Sequence, residues 1–149
     1  MRIGIEFGGT HMKMGIVSDD GIVVRYNEKK LADLTDSEGI VQSLKQAVYD
    51  FIGDENIEKG GISAKGLVDT DKGQVIDDVG AGRLLIGVPL CEIFSKKYNV
   101  PFQMDNDARC YAWGEWKFGQ GKGSKVFTCM TLGTGVGCAL IHNGEIYYG

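Results

Sequence analysis

Two short turns constrain this chain more than any other feature. Gly8-Gly9-Thr10 stands between the strand-like segments 2–7 and 13–18, and Gly133-Thr134-Gly135 stands between the apolar segments 125–132 and 136–142. In each turn, glycine lets backbone N–H groups come close to something that a side chain would hold away. A Rossmann-type dinucleotide fold shows GxGxxG opening a helix directly after its first strand. Here both turns lead into strands, which argues against it. The second turn also lacks the Lys-Ser/Thr of a P-loop. Glycine is plentiful, 23 residues against 2 prolines, and it punctuates patterned apolar segments rather than forming low-complexity runs.

Around these turns the pattern is legible. Asp19-Asp20-Gly21 is a hairpin turn into a third strand over 22–28, so the chain opens with an antiparallel β-meander. Asp36 or Ser37 is placed to cap a helix whose apolar positions are Ile40, Val41, Leu44, Ala47, Val48 and Phe51. A strand over 60–64 precedes a glycine-bearing loop at Lys65-Gly66, and 73–77 reads as a short strand or hairpin arm. Pro89 fits the first turn of a helix running to Tyr98. A strand over 101–105 ends at Asp105-Asn106-Asp107, and a helix over about 107–117 carries Ala108, Tyr111, Ala112 and Trp116 on one side. Trp113 and Trp116 read as packing residues rather than a sugar-stacking platform. Strands fed by an antiparallel hairpin and extended by crossover helices make an α/β domain with a mixed sheet.

The expected organisation is a first lobe over 1–118, a linker at 119–124 and the first hairpin of a second lobe over 125–149. Strands as apolar as 126–141 with no helix to cover either face would be exposed or need a partner. The chain therefore reads as truncated. Its 149 residues suffice for one domain burying roughly 68–70% of its unfolded surface.

Composition narrows the function. Hydrophobic residues at 43% and charged residues at 24% are a globular balance. No apolar run approaches the ~18 residues of a membrane span, and the strand-like start leaves no room for a signal peptide. A cytoplasmic protein without membrane partners is expected. The net charge of −4 gives no basis for binding nucleic acid. Cys91, Cys110, Cys129 and Cys138 show no CxxC pairing, and with only two histidines no metal site is expected from them. Buried, reduced thiols are expected instead, and His11 and His142 read as structural or solvated.

The chemistry concentrates at three places. In the first turn, Thr10 adds a hydroxyl and Lys13 a charge to the glycine backbone, while Glu6 at a strand end can orient Mg²⁺ through water. An ordinary β-turn with a solvated Glu and Lys is the plainer account. Two glycine-threonine turns over a hundred residues apart suggest two sheets facing each other across a nucleotide, each offering one turn to its phosphates. Between them, Asp105-Asn106-Asp107 sits at a strand-to-helix junction. A carboxylate there can accept a proton from a sugar hydroxyl attacking a γ-phosphoryl group, and the neighbouring amide can hold other hydroxyls. Helix capping accounts for the same triplet. Ser63-Ala64-Lys65-Gly66 can set backbone against a sugar, or be a plain loop.

Taken together these segments resemble the ROK family of glucokinases, fructokinases, related sugar kinases and sugar-responsive repressors. The matching residues are Gly4-Ile5-Glu6-Phe7-Gly8-Gly9-Thr10-His11-Met12-Lys13, then Asp105-Asn106-Asp107-Ala108 with Gly114-Glu115, then Thr131 through Gly137 with Asn143-Gly144-Glu145. The resemblance implies a lobe of an actin-like, ribonuclease-H-like ATPase that closes with a second lobe on sugar and ATP with Mg²⁺. It makes Asp107 the catalytic base and Asn106 a sugar ligand, sets Gly66 near the sugar, and makes Gly8, Gly9, Thr10 and Gly133, Thr134, Gly135 the phosphate loops. The family's cysteine-rich zinc motif and adenine-binding segment lie in the missing C-terminal lobe, so the 149-residue chain alone is expected to be inactive.

Two residues and two segments depart from the family pattern. Glu6 stands where Asp is usual, and one methylene moves a carboxylate by roughly 1.5 Å, where about 1 Å can cost on the order of 10²-fold in rate. Arg109 stands where many relatives have Asn, Lys65-Gly66-Leu67 replaces a proline-glycine pattern, and no asparagine-containing segment is evident in 78–88. The alternative to a kinase is a non-catalytic sugar sensor of the same family; a homodimer is left open.

Overall fold

A computed structural model describes residues 1–34, 39–133 and 135–148, with the side chains of residues 81 and 82 left out. The contacts divide it into two units, Met1–Asp105 and Asn106–Gly149.

The first unit is built on a five-stranded sheet. Strands β1 (Arg2–Phe7), β2 (His11–Val17) and β3 (Val23–Lys30) form the expected meander, closed at its second turn by Ser18 N–H to Ile22 O at 2.9 Å with Gly21 at φ 83°. After helix α1 (Ile40–Ile52), strand β4 (Lys59–Ala64) returns parallel to β1. A small arm of β5 (Leu67–Asp69) and β6 (Gln74–Asp77) follows, then helix α2 (Leu90–Tyr98) and strand β7 (Phe102–Asn106). The strand order is β3-β2-β1-β4-β7, with β2 antiparallel to both β1 and β3, and β4 parallel to β1. The short strand β5 lies where the sequence suggested only loop. Three residues are too few to show alternation, and the strand exists because it pairs with β6. Asp36 and Ser37, expected to cap α1, lie outside the described residues; Gly39 immediately precedes that helix.

Strict alternation makes one face of this sheet apolar. Ile3, Ile5 and Phe7 of β1, Met12, Met14 and Ile16 of β2, and Ile62 and Ala64 of β4 are all at most 3% exposed. Against them pack Leu44, Val48 and Ile52 of α1 and Leu90 and Phe94 of α2, one stripe per helix. Phe94, fully buried, meets Phe102 at 5.5 Å and Tyr49 at 6.2 Å between ring centroids. Its burial is worth about 1.5–3 kcal/mol. The opposite face carries the other residues of each strand. Gly15, Gly4 and Gly61 lie there in register across β2, β1 and β4.

The second unit consists of helix α3 (Asp107–Phe118), the hairpin β8 (Val126–Leu132) and β9 (Val136–His142), and the short β10 (Glu145–Ile146). The sequence led us to expect a hairpin without helical cover. Instead α3 lies along it: Ala112, Ala139 and Ile141 form a small core, flanked by Trp116, Phe127, Cys129 and Ile146. Small residues make this possible, because Ala108 and Gly137 let helix and strand come close. On the hairpin's other face Val126, Met130, Leu132 and Val136 are exposed. The loop 119–124 is ordered by hydrogen bonds from Gly121 N–H to Glu115 O and from Trp116 Nε1 to Ser124 O, both 3.0 Å. Tyr111, expected with the packed side of α3, is exposed; Trp113 is exposed and lies against Trp116 at 5.2 Å. The cysteines are free, but only Cys91 is buried; Cys110 and Cys129 are half-buried and Cys138 is exposed. Alternation puts Cys138 on the uncovered face of β9.

Candidate functional site

In the first unit the candidate residues gather where β1 and β4 end side by side. Phe7 and Ala64 are register partners, so the Gly8-Gly9-Thr10 turn and the Lys65-Gly66 loop leave the sheet together, joined by Lys65 N–H to Phe7 O at 3.4 Å. Such an end of parallel strands is where open α/β sheets place ligands. The Gly8 N–H closes its own turn onto His11 O at 3.0 Å. That amide is therefore engaged, and the sequence reading of both glycine amides as anion donors narrows to the remainder of the turn. A Cβ on Gly9 would meet nothing within 4 Å, whereas one on Gly8 would press on His11 O at 3.0 Å. Thr10 Oγ1 lies 2.9 Å from His11 Nδ1.

Below the turn, polar side chains form a row across three strands. Lys13, Glu6 and Ser63 are consecutive register partners on the face opposite the core. Lys13 Nζ lies 3.4 Å from Glu6 Oε1, both half-buried. Among the described residues the buried hydroxyl of Ser63 has no hydrogen-bond partner. Glu6 thus offers a carboxylate already flanked by a cation, at a strand end beside a glycine turn. Mg²⁺ bound with nucleotide takes one or two protein carboxylates plus phosphate oxygens and water, and one carboxylate here fits that donor set. Among the described residues no cluster of three or more His, Cys, Asp or Glu is poised to hold a metal by itself.

Gly66 is fixed by geometry. Its φ is +92°, and a Cβ there would lie 2.3 Å from Asp77 O and 2.9 Å from Asp78 Cβ. The loop is pressed against the end of β6. That contact brings in a residue the sequence reading missed: Asp78, only 5% exposed. Its Oδ1 accepts the Val79 N–H at 2.8 Å and its backbone oxygen accepts Arg83 Nε at 3.2 Å. An aspartate directly after a short alternating strand gives no sign of burial, because the burial comes from the Gly66 loop packed against it.

In the second unit, Asn106 and Asp107 open α3. Asn106 is the N-cap, with φ −63° and ψ 146°, and its side chain accepts the Ala108 N–H at 3.0 Å; Asp107 Oδ1 shares that donor at 2.9 Å. Asp107, the first residue of the helix, places a carboxylate at its positive end. A Cβ on Gly137 would lie 2.8 Å from Ala108 Cβ, so β9 leaves the Gly133–Gly135 turn directly beside the start of α3. Gly133 N–H bonds Gly135 O at 3.0 Å across that turn, and a Cβ on either glycine would meet nothing within 4 Å. Thr134 lies outside the described residues. The second unit therefore brings Asn106, Asp107 and the second glycine turn to one end. Arg109, in the first turn of the helix, lies over the Tyr148 ring at 4.9 Å.

A meander, a crossover helix and a parallel return, with a glycine turn after the first strand, define an α/β lobe with a mixed sheet. Solved structures with this arrangement include ROK sugar kinases, whose fold is that of actin-like ATPases. The chain belongs to the ROK family, whose pattern it matches over residues 2–149. It is 32% identical to a glucokinase of Streptomyces coelicolor over all of this chain and 46% of that protein. A ROK glucokinase of Streptomyces griseus, solved with glucose and AMPPNP, superimposes with a TM-score of 0.83 at 30% identity, over 99% of this chain and 46% of that one. A ROK transcriptional regulator, a homologue of the E. coli MLC protein, gives 0.84 at 17% identity over 99% and 38%; that likeness is of fold alone. The chain spans about half the length of the curated relatives it matches.

Proposed function

We propose that this chain is the N-terminal half of a cytoplasmic, ATP-dependent hexose kinase that transfers the γ-phosphoryl group of ATP to a sugar hydroxyl. The observation that carries the reading is the start of α3, where Asp107 and the Gly133–Gly135 turn share one end of the second unit through the Gly137–Ala108 contact. A base and a phosphate-binding turn at one end are what phosphoryl transfer needs, since its catalysis is mostly positioning and electrostatic stabilisation.

In this reading Asp107 accepts the proton of the attacking hydroxyl, and Asn106 and the Gly66 loop hold the sugar. Lys13, the Gly8-Gly9-Thr10 turn and Gly133-Thr134-Gly135 face the phosphates. Glu6 orients Mg²⁺, which when bound neutralises charge on the phosphate oxygens. The bound nucleotide and sugar of the Streptomyces griseus relative support this direction.

The test is ADP release over a panel of hexoses, aminosugars and β-glucosides, using a polypeptide that carries both lobes. Turnover with one class names the substrate. In that protein Asp107→Asn should lower kcat by about 10²–10⁴-fold, the usual share of general base catalysis, while calorimetry still records sugar binding. Near-normal turnover in the variant removes Asp107 from the role. Sugar binding without ADP release in the unaltered protein points to a sensor.

A further inference from the structure

The first glycine turn carries one side-chain hydroxyl, and a histidine ring holds it. Thr10 Oγ1 lies 2.9 Å from His11 Nδ1. The Thr10 carbonyl accepts the Leu31 N–H at 2.9 Å, which pins the backbone beneath that hydroxyl. With the Gly8 N–H spent on His11 O, the Thr10 O–H gains weight as a donor for anything that approaches the turn. A hydroxyl has a single proton, and the ring decides where it points. With Nδ1 unprotonated, that nitrogen is an acceptor and draws the Thr10 O–H to itself. With both ring nitrogens protonated, Nδ1–H donates, Thr10 Oγ1 accepts, and the hydroxyl proton is free to turn outward. The His11 side chain is 36% exposed, with Glu28 Oε1 3.9 Å from Nδ1. Lys30 is its register partner on β3, and Lys13, paired with Glu6, follows two residues along the same face. An open cleft beside the ring is lined also by Lys29 and Asp33. Histidine is the side chain that ordinarily changes charge between about pH 5 and 8, and solvent reaches this one through the cleft.

We propose that His11 is a positioning residue for nucleotide binding: its ring sets whether the Thr10 hydroxyl donates inward to Nδ1 or outward to a phosphate oxygen. The neutral ring withdraws the donor and the imidazolium releases it, so the hold on phosphate tightens as pH falls. Only hydrogen bonds change, and the proton taken up by the ring comes from solvent. Nucleotide binding at the alkaline end of the range therefore draws a proton onto His11, the reciprocal of the proton's effect on the nucleotide. The inference rests on the reading of Gly8-Gly9-Thr10 as a phosphate turn, and adds to it a control by pH.

The experiment is calorimetric binding of AMPPNP with Mg²⁺ to the two-lobed protein, in steps from about pH 8 to about pH 5.5, the range over which histidine titrates. His11→Asn and Thr10→Val are measured beside it. Thr10 is exposed and His11 half-buried, so neither substitution touches the core. The nucleotide's own titration cancels when the proteins are compared at one pH. The unaltered protein should bind about tenfold more tightly at the acid end, relative to His11→Asn, the size of a hydrogen bond to a charged group. Thr10→Val keeps the ring but has no proton to release, so its profile should run parallel to that of His11→Asn. Equal acid tightening in the unaltered protein and His11→Asn overturns the assignment and leaves the phosphate turn in place. Tightening that is lost in His11→Asn but kept in Thr10→Val also overturns it, because the imidazolium would then act on phosphate directly and not through Thr10. If the unaltered protein binds no nucleotide at any pH, the phosphate-turn reading falls as well.

Discussion

At Gly66 the backbone turns through φ +92°, and the nearest atom to a Cβ there is a peptide oxygen at 2.3 Å. At Gly9, in the turn after the neighbouring strand, a Cβ meets nothing, and the residue is not among those with positive φ. The fold therefore requires glycine at position 66 and does not require it at position 9, where only the proposed approach of phosphate would. Gly66→Ala should destabilise the protein by about 1–3 kcal/mol, read as a lower urea midpoint. Gly9→Ala should change stability by no more than about 0.5 kcal/mol. If the turn binds phosphate, Gly9→Ala will still weaken nucleotide binding measurably. Equal unfolding midpoints for the two variants would contradict the contrast. The Gly8-Gly9-Thr10 turn was legible because two glycines between two strand patterns have few other uses. Asp78 was not, since its burial is made by the Gly66 loop, which lies before the β5–β6 arm in sequence and folds against it.

Among the elements, α3 shows where periodicity stops informing. Its limits follow from the cap at Asn106 and the glycine after Phe118, and both were readable. What it packs against was not. Ala108 and Ala112 are a stripe too small to announce a partner, and the hairpin they meet answers with Gly137 and Ala139. The triplet Asp105-Asn106-Asp107 had two explanations in sequence, capping and chemistry; the structure shows Asn106 as the cap, with Asp107 one step inside the helix. Asn106→Ala should cost about 1 kcal/mol of stability, the usual loss for an N-cap. Asn106→Asp should keep the cap and thus the stability. It exchanges an amide donor for a second acceptor oxygen, so sugar affinity should fall even though the unfolding curve does not move. A variant that is stable and binds sugar normally would exclude Asn106 as a ligand.

For the molecule as a whole, one buried thiol and two half-buried phenols of the first unit set a limit in alkali. Burial pushes the Cys91 thiol up to about 11 and the Tyr98 phenol up to about 12, and raises Tyr49 as well. These groups are neutral when protonated, and the folded state holds those protons more tightly than the unfolded chain, where they leave near 8.5 for Cys and 10 for Tyr. Their contribution to stability is therefore complete below about pH 8.5 and lost as pH rises through 11 and 12. Urea midpoints should be level from pH 7 to about 8.5 with respect to these groups and fall above it. Cys91→Ala should remove the first part of the fall. A midpoint that declines identically with and without Cys91 would show that the thiol does not titrate on unfolding. At the same scale, the 149-residue chain by itself should show no sugar-dependent ADP release above background, in keeping with its spanning about half of its relatives; robust turnover would refute the need for a second lobe.

The glycine row Gly15, Gly4 and Gly61 bears on how mutations combine. Within the first unit none of the three is sterically compelled: a Cβ would find its nearest neighbour at 3.6 Å, 3.9 Å and beyond 4 Å respectively. For any surface that rests on that bare track, the three positions act as a single gasket. The first alanine lifts the seal along its whole length, and the second and third find it already lifted. Single substitutions would each look damaging while the triple costs little more than the worst of them, a sub-additive pattern expected of neighbours that share one contact.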